Sequence, residues 1–206
     1  LELFIDGVSQ GNGTISYQAG TVGSIYNNDQ PFVIGARRST TSGTLAGYFD
    51  GLVKNVRVFN DVRTSTEIKS DMIAKTITNA NLVGEWQFDG VYTDTSGSGN
   101  TLTAGGTPSF SPTQPFDVRG ARQSVYFNGS STAVSIVDHA DLKPTGSFTV
   151  GAWIKTVTTS VSYVFQSYSE NTNPAGTFAY IDVNGKVEFF SCKNSGTTFH
   201  TDYERV

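Results

Sequence analysis

Residues Leu52-Val53-Lys54-Asn55-Val56-Arg57-Val58-Phe59 carry the clearest strand pattern in the chain. Val56 and Val58 fall on one face of an extended chain, and Asn55 and Arg57 fall on the other. This alternation is typical of a half-buried strand in an antiparallel sheet. Similar runs follow at residues 122–128, 132–137, 147–156, 161–168, 177–183 and 186–192. Closely spaced short strands of this kind predict an all-β sandwich or jelly roll.

Turn and cap residues separate these runs. Asn184-Gly185 lies between the last two runs and is a strong hairpin signal, and Asp6-Gly7 follows the strand-like start of the chain. Residues 64–67 (TSTE) form a capping-box pattern, in which Thr64 and Glu67 each satisfy a backbone N–H of the other. The pattern predicts one short helix, which must be held by packing against the sandwich.

The composition excludes several classes of protein. Charged residues make up 16% of the chain, aromatic residues 12%, and the net charge is −4 with no basic run. Such a mixture favours strands and turns over disorder, and it argues against nucleic-acid binding. No apolar stretch approaches the roughly 20 residues that a membrane-spanning helix needs. Cys192 is the single cysteine, so no intrachain disulfide is expected.

Two segments resemble the laminin-G-like domains of the concanavalin A-like superfamily. Residues 3–7 (LFIDG), 31–35 (PFVIG) and 49–60 (FDGLVKNVRVFN), with the capped helix after them, resemble the C-terminal half of such a domain. Residues 82–89 (LVGEWQFD), 94–100 (DTSGSGN), 120–129 (GARQSVYFNG) and 146–155 (GSFTVGAWIK) resemble its N-terminal half. The resemblance implies a concanavalin A-like jelly-roll β-sandwich with one short helix.

The two halves stand in reverse order along the chain. Residues 1–75 are interpreted as the C-terminal half of a sandwich, residues 76–81 as a connector, and residues 82–206 as an N-terminal half. Three arrangements remain open: a slice of a tandem array, a circular permutant that forms one sandwich, and strand exchange between neighbouring copies. The family's strand with a WHHVA pattern is missing, which favours a piece of a longer multidomain chain.

The resemblance also implies a structural calcium ion at the rim of the sandwich. Asp94 and Asn100 belong to the loop that resembles the family's DSSGNGN loop, and they offer the oxygen ligands that calcium prefers. Asp89 is the expected further ligand, with Asp50 as its alternative. Lys54-Asn55 replaces an acidic pair of the family, which weakens the expectation. The alternative interpretation is a turn closed by its own hydrogen bonds.

A carbohydrate site is the second candidate. Sugars bind to aromatic faces beside planar polar groups, and the expected site residues are Tyr163, Gln166, Tyr168 and Tyr180, with Trp153 as a further platform. The alternative is that these aromatic residues serve packing between strands.

Catalysis is not expected. The glycoside hydrolases of the superfamily carry closely spaced carboxylates on one strand, and no such motif exists here. Asp182 and Glu188 lie on different strands of the predicted hairpin. His139 and His200 lack a recognisable nucleophile partner and are expected at the surface.

The sequence therefore predicts a non-catalytic binding or adhesion module of a large extracellular, cell-surface or virion protein. Its expected partner is a glycan or a neighbouring protein subunit, within a repetitive assembly. Two alternatives remain: a purely structural unit of a fibre, surface layer or capsid decoration, and an accessory carbohydrate-binding module of a polysaccharide-degrading enzyme.

Overall fold

The computed structural model describes residues 2–12, 30–38, 44–113, 123–143, 146–156, 158–169 and 175–192. The strands are β1 (Glu2–Ile5), β2 (Val8–Asn12), β3 (Phe32–Ile34), β4 (Arg37–Arg38), β5 (Leu45–Ala46), β6 (Asp50–Phe59), β7 (Leu82–Trp86), β8 (Thr103–Gly105), β9 (Ser109–Ser111), β10 (Ser124–Asn128), β11 (Ala133–Ile136), β12 (Thr149–Thr156), β13 (Ser162–Ser169), β14 (Ala175–Ile181) and β15 (Val187–Cys192). The helix α1 spans Ser65–Ile73, and a short 3-10 helix spans Ala140–Leu142. The prediction of an all-β fold with one short α-helix is confirmed.

The first sheet is built around β6, which contains the alternating stretch of residues 52–59. Its order is β12-β6-β10-β9, and β7 pairs with β6 on the same edge as β10 but further along the strand. All these pairings are antiparallel. The six strand-like runs predicted between residues 122 and 192 correspond to β10 to β15 with small shifts at their ends.

The second sheet has the order β15-β14-β13-β3-β11-β8. One hydrophobic core lies between the two sheets. It contains Val53, Val56, Val58 and Trp86 of the first sheet together with Phe32, Ile34, Val134, Val164, Phe165, Ala179 and Ile181 of the second. The Phe32 and Trp86 rings stack across the core with their centroids 5.5 Å apart. The molecule is therefore an antiparallel jelly-roll sandwich.

The strands of the two sequence halves pair with each other. Strand β6 lies between β12 on one side and β7 and β10 on the other, and β3 lies between β13 and β11. Two of the central strands thus come from residues 1–75, while their neighbours come from residues 82–206. The division at residues 76–81 and the choice among the three arrangements in a longer protein stay predictions.

Strand β6 departs from simple alternation at Asn55. This residue has a φ of +49° and lies opposite the step from Gly151 to Trp153, where the register of β12 against β6 shifts. The bulge places both Val53 and Val56 in the core although they are three residues apart. The expectation of a half-buried strand is wrong here, because every residue from Val53 to Phe59 is buried.

Helix α1 and side chains of the first sheet explain this extra burial. Arg57 donates from Nη2 to the Ala74 carbonyl at 2.7 Å and from Nη1 to the Asp71 carbonyl. Trp153 of β12 donates from Nε1 to the Met72 carbonyl at 3.2 Å. These donors satisfy carbonyl groups that a helix leaves unpaired at its C-terminal end. The sheet therefore holds a helix that would be marginal by itself.

The predicted capping box of α1 is confirmed. The Glu67 amide donates to Thr64 Oγ1 at 3.3 Å, and the Thr64 amide donates to Glu67 Oε2 at 2.8 Å. Both predicted hairpins are confirmed as well. Asp6 and Gly7 have φ values of +49° and +70° in the turn between β1 and β2, and Asn184-Gly185 joins β14 to β15. In the described part of the chain, no helix is long and apolar enough to cross a membrane.

Replacing Thr64 with Ala is expected to lower the free energy of unfolding by about 1 kcal/mol, the usual cost of losing an N-cap side chain. Hydrogen bonds from the Thr64 amide and from its hydroxyl lower the pKa of Glu67. Only the hydroxyl bond to the carboxylate is lost in Thr64→Ala, so this part of the difference is present above the unfolded pKa of Glu67 and is lost as the pH falls through its folded pKa. Urea unfolding of both proteins at neutral and acidic pH should show the difference shrinking in acid. Thr66→Ala, an exposed change in the same turn, is the control; an equal effect of both variants would contradict the role of the cap.

Candidate functional site

The register of β13 against β14 places the predicted sugar-site residues on one face. Tyr163 pairs with Tyr180, and Gln166 pairs with Phe178. Directly paired residues share a face, and Phe178 and Tyr180 are two positions apart on β14. All four therefore lie on the face of the second sheet that points away from the core.

A bulge in β13 makes this possible. Tyr163 and Gln166 are three positions apart and would lie on opposite faces of a regular strand. The register shifts between Tyr163 and Phe165, so Val164 is the extra residue, and both Val164 and Phe165 enter the core. The bulge thereby brings two predicted site residues to the outward face.

Three aromatic rings form a continuous surface there, which we call the outer aromatic patch: Tyr163, Phe178 and Tyr180. The Tyr163 centroid lies 5.5 Å from that of Tyr180 and 5.5 Å from that of Phe178, and the Phe178 and Tyr180 centroids are 5.8 Å apart. All three side chains are half-buried. Aromatic residues that cluster on an outward face indicate a binding surface, because packing of the core between the sheets does not account for them.

Polar groups stand at two borders of the patch. The Arg37 guanidinium carbon lies 5.4 Å from the Tyr163 centroid, which is the geometry of a cation–π contact. The Tyr180 hydroxyl donates to Glu188 Oε2 on β15. The site thus offers apolar ring faces with N–H donors at one border and a carboxylate at the other.

Gln166 has a different role from the one expected, whereas the role of Tyr168 stays a prediction. Gln166 is only 2% exposed, and its amide is hydrogen-bonded to the backbone of Arg38, so it does not present its amide at the surface as a ligand would require. The backbone of Tyr168 pairs with Gly176, while its side chain lies outside the described part of the structure. Trp153 belongs to the first sheet and contacts the end of α1, so it does not join the patch.

The loop from Asp94 to Asn100 closes the outer edge of β7. Asp94 Oδ1 accepts from the amides of Glu85 and Ser96 at 2.9 and 2.8 Å. Its Oδ2 accepts from the Ser96 hydroxyl at 2.9 Å and from the Asn100 amide at 2.8 Å. The Asn100 side chain donates to the Val83 carbonyl at 2.7 Å. The loop therefore replaces a neighbouring strand for β7.

These hydrogen bonds do not fit a preformed cation site. An ionised carboxylate has about four lone-pair positions, and four donors already occupy those of Asp94. Asn100 Oδ1 is buried without a hydrogen-bond partner, but it is a single available oxygen, whereas calcium takes about six to eight oxygen ligands. The Asp89 carboxylate interacts electrostatically with Lys54 instead. Burial lowers the pKa of Lys54, and the negative charge of Asp89 opposes that shift. Within the described ranges no group of three His, Cys, Asp or Glu side chains is arranged to hold a metal. Calcium binding stays a prediction, which calorimetry with Ca²⁺ would test.

The carboxylates and histidines considered for catalysis have other contacts. Asp182 Oδ1 accepts from the amides of Asn184 and Lys186, each at 2.8 Å, and these hydrogen bonds from the hairpin turn lower the Asp182 pKa. His139 accepts from the Asp141 amide at the start of the 3-10 helix. His200 lies outside the described residues.

Three further residues belong to this site and were not among the expected site residues: Arg37, Phe178 and Glu188. Phe178 could have been found, because it alternates with Tyr180 on a predicted strand. The position of Glu188 opposite Tyr180 could have been found by pairing the residues on either side of the Asn184-Gly185 turn. Arg37 carries no comparable signal, because only the folded chain brings it to Tyr163.

The architecture is thus that of an antiparallel β-sandwich module with an outward aromatic surface. Residues 1–69 match the family model Laminin_G_3, described as concanavalin A-like lectin/glucanases superfamily. The match supports a laminin-G-like domain, as the motifs of the first half predicted. No curated protein and no solved structure matches the chain. The resemblance of residues 82–206 to the N-terminal half of the family rests on its motifs and stays a prediction.

A laminin-G-like domain suggests a binding module, and such domains are typically non-catalytic. The family match thus supports the coarser functional prediction.

Proposed function

We propose that the chain is a non-catalytic glycan-binding or adhesion module, and that the outer aromatic patch is its binding surface. The observation that supports this proposal is the contact among Tyr163, Phe178 and Tyr180 on the outward face of β13 and β14. Aromatic rings offer a large rigid apolar surface at a low cost in side-chain entropy. The C–H faces of a sugar ring match such a surface, while Arg37 and Glu188 supply polar partners for hydroxyl groups.

A module of this kind belongs where glycans are displayed. We therefore propose an extracellular or surface-exposed location, on a cell or a virion, within a longer chain or repetitive assembly. The net charge of −4 supports the choice of partner, because it disfavours nucleic acid and acidic membrane surfaces.

Replacing Tyr180 with Ala is expected to weaken glycan binding at least tenfold, because the variant loses a whole ring of the patch; tenfold corresponds to about 1.4 kcal/mol. An array of immobilised oligosaccharides identifies ligands of the wild type, and titration calorimetry with those oligosaccharides measures the loss. Tyr180→Phe, which keeps the ring and loses only the hydroxyl bonded to Glu188, is expected to retain most of the affinity.

Tyr126→Ala is the matched control for this experiment. Tyr126 is an exposed tyrosine on β10 of the opposite sheet, and its hydroxyl contacts Asp50. The variant should bind as the wild type does. An array with no ligand, or a folded Tyr180→Ala variant with unchanged affinity, would refute the proposed function.

A further inference from the structure

Gln166 makes an unusual pair of hydrogen bonds for a buried side chain. Its Oε1 accepts from the Arg38 amide at 2.6 Å, and its Nε2 donates to the Arg38 carbonyl at 3.5 Å. The two groups of one amide thus serve both backbone groups of one residue, as a neighbouring strand would. Because Gln166 is 2% exposed, water cannot replace these bonds cheaply.

Arg38 belongs to the β4–β5 hairpin, which crosses the outward face of the second sheet. The chain leaves β3 through Gly35, whose φ of +87° suits a glycine, and turns into β4. Leu45 and Tyr48 pack against a small second core of Val33, Ala36 and Ala133. The hairpin therefore covers the outward face of β3 and β11 and ends beside the outer aromatic patch.

Two contacts fix the border between the hairpin and β13. At one point the Tyr163 amide donates to the Gly47 carbonyl at 2.9 Å. At the other point, the Gln166 side chain is hydrogen-bonded to the backbone of Arg38. Between them Arg37 lies over the Tyr163 ring. The position of the Arg37 guanidinium thus depends on where β4 is held.

We propose that Gln166 is a positioning residue: it holds β4 so that Arg37 stays over Tyr163, and the β4–β5 hairpin thereby determines which oligosaccharides the outer aromatic patch selects. This proposal rests on the proposed function. A guanidinium presents several N–H donors in a fixed plane, so a shift of β4 alters which acceptor groups beside the patch can be bound. Tyr180 is not a cross-strand neighbour of Gln166, whereas Phe178 lies directly opposite it, so the Arg37 signal, and not the ligand ranking alone, attributes a change to β4.

The test uses Gln166→Met, which keeps the length of the side chain and removes both hydrogen bonds. In proton–nitrogen NMR spectra, the Arg38 amide is expected to exchange with solvent at least tenfold faster than in the wild type. The δ-protons of Arg37 are expected to lose the upfield shift caused by the Tyr163 ring. On the oligosaccharide array, the ranking of ligands is expected to change, and not only the overall signal.

Two further variants complete the experiment. Gln87→Met removes another glutamine contact to the backbone, the 3.1 Å bond from Nε2 to the Lys75 carbonyl, and should leave Arg38 and the ranking unchanged. Gln166→Asn keeps an amide but shortens the side chain by one methylene, so it should also lose both bonds to Arg38 without burying a charge. This variant carries the test if the Met variant does not fold.

The outcomes separate this proposal from the proposed function. Unchanged protection of Arg38 in Gln166→Met overturns the positioning role. Equal weakening of all ligands overturns the role in selectivity while glycan binding stands. An array without any ligand overturns the proposed function and the selectivity role together, whereas the NMR result still shows whether Gln166 holds β4.

Discussion

Replacing Arg57 with Met is expected to lower the free energy of unfolding by about 3–5 kcal/mol, the cost of removing one partner of a buried ion pair. Arg57 Nε donates to Glu85 Oε1 at 2.8 Å, and the two residues are 4% and 1% exposed. The variant leaves the Glu85 carboxylate buried with Thr95, whose hydroxyl donates to Oε2 at 2.6 Å. It also removes the donors of Arg57 from the carbonyls of Asp71 and Ala74 at the end of α1, of which the Asp71 carbonyl keeps the Ala74 amide at 3.3 Å.

Urea unfolding followed by circular dichroism measures this loss. In the double variant Arg57→Met/Glu85→Gln neither member of the pair carries a charge, so it should be more stable than Arg57→Met alone. Lys155→Met removes a positive charge from an exposed side chain of the same sheet and should change stability by no more than about 0.5 kcal/mol. A loss below about 1 kcal/mol in Arg57→Met would mean that solvent reaches the pair.

Replacing Trp86 with Ala is expected to cost about 3–5 kcal/mol as well, through a cavity in the centre of the core. Trp86 has no exposed surface, stacks on Phe32 of the opposite sheet, and donates from Nε1 to the Asn100 carbonyl at 2.7 Å. Gly84 lies so close that a Cβ there would meet the Trp86 ring at 2.6 Å. The ring therefore joins both sheets and the loop beside β7.

Thermal and urea unfolding measure this second effect. Trp86→Phe keeps most of the apolar contact and loses the hydrogen bond, so it should fall between the wild type and the Ala variant. Trp153→Ala, at the chain's other tryptophan, which is half-buried, should cost less. The expectation would be wrong if the two Ala variants were equally stable, since burial then would not govern the loss.

Much of the fold followed from local signals. The capping box at Thr64, the turn at Asn184-Gly185 and the strand-like runs of β14 and β15 depend on residues within a few positions of each other. A local pattern can be interpreted without knowledge of the partner strand, and these predictions were confirmed.

The candidate site was predictable only in part. Tyr163, Gln166 and Tyr180 were expected to act together, and the structure does bring them to one face. Gln166 does not share the expected role of the two tyrosines, because its side-chain amide is hydrogen-bonded to the backbone of Arg38, 128 positions away along the chain. Asp94 was expected to offer oxygen ligands, but its oxygens are committed to backbone amides of β7 and of its own loop.

The sequence by itself determined that this protein is an antiparallel β-sandwich with one capped helix, because hydrophobic alternation and turn residues act over short distances. The tertiary structure alone decided which residues face outward together. The bulges at Asn55 and Val164 arise where one strand has an extra residue opposite its partner, so they shift alternation in a way that neither strand shows alone. Such pairing placed Tyr163 beside Tyr180, and the crossing of the β4–β5 hairpin brought Arg37 to their border.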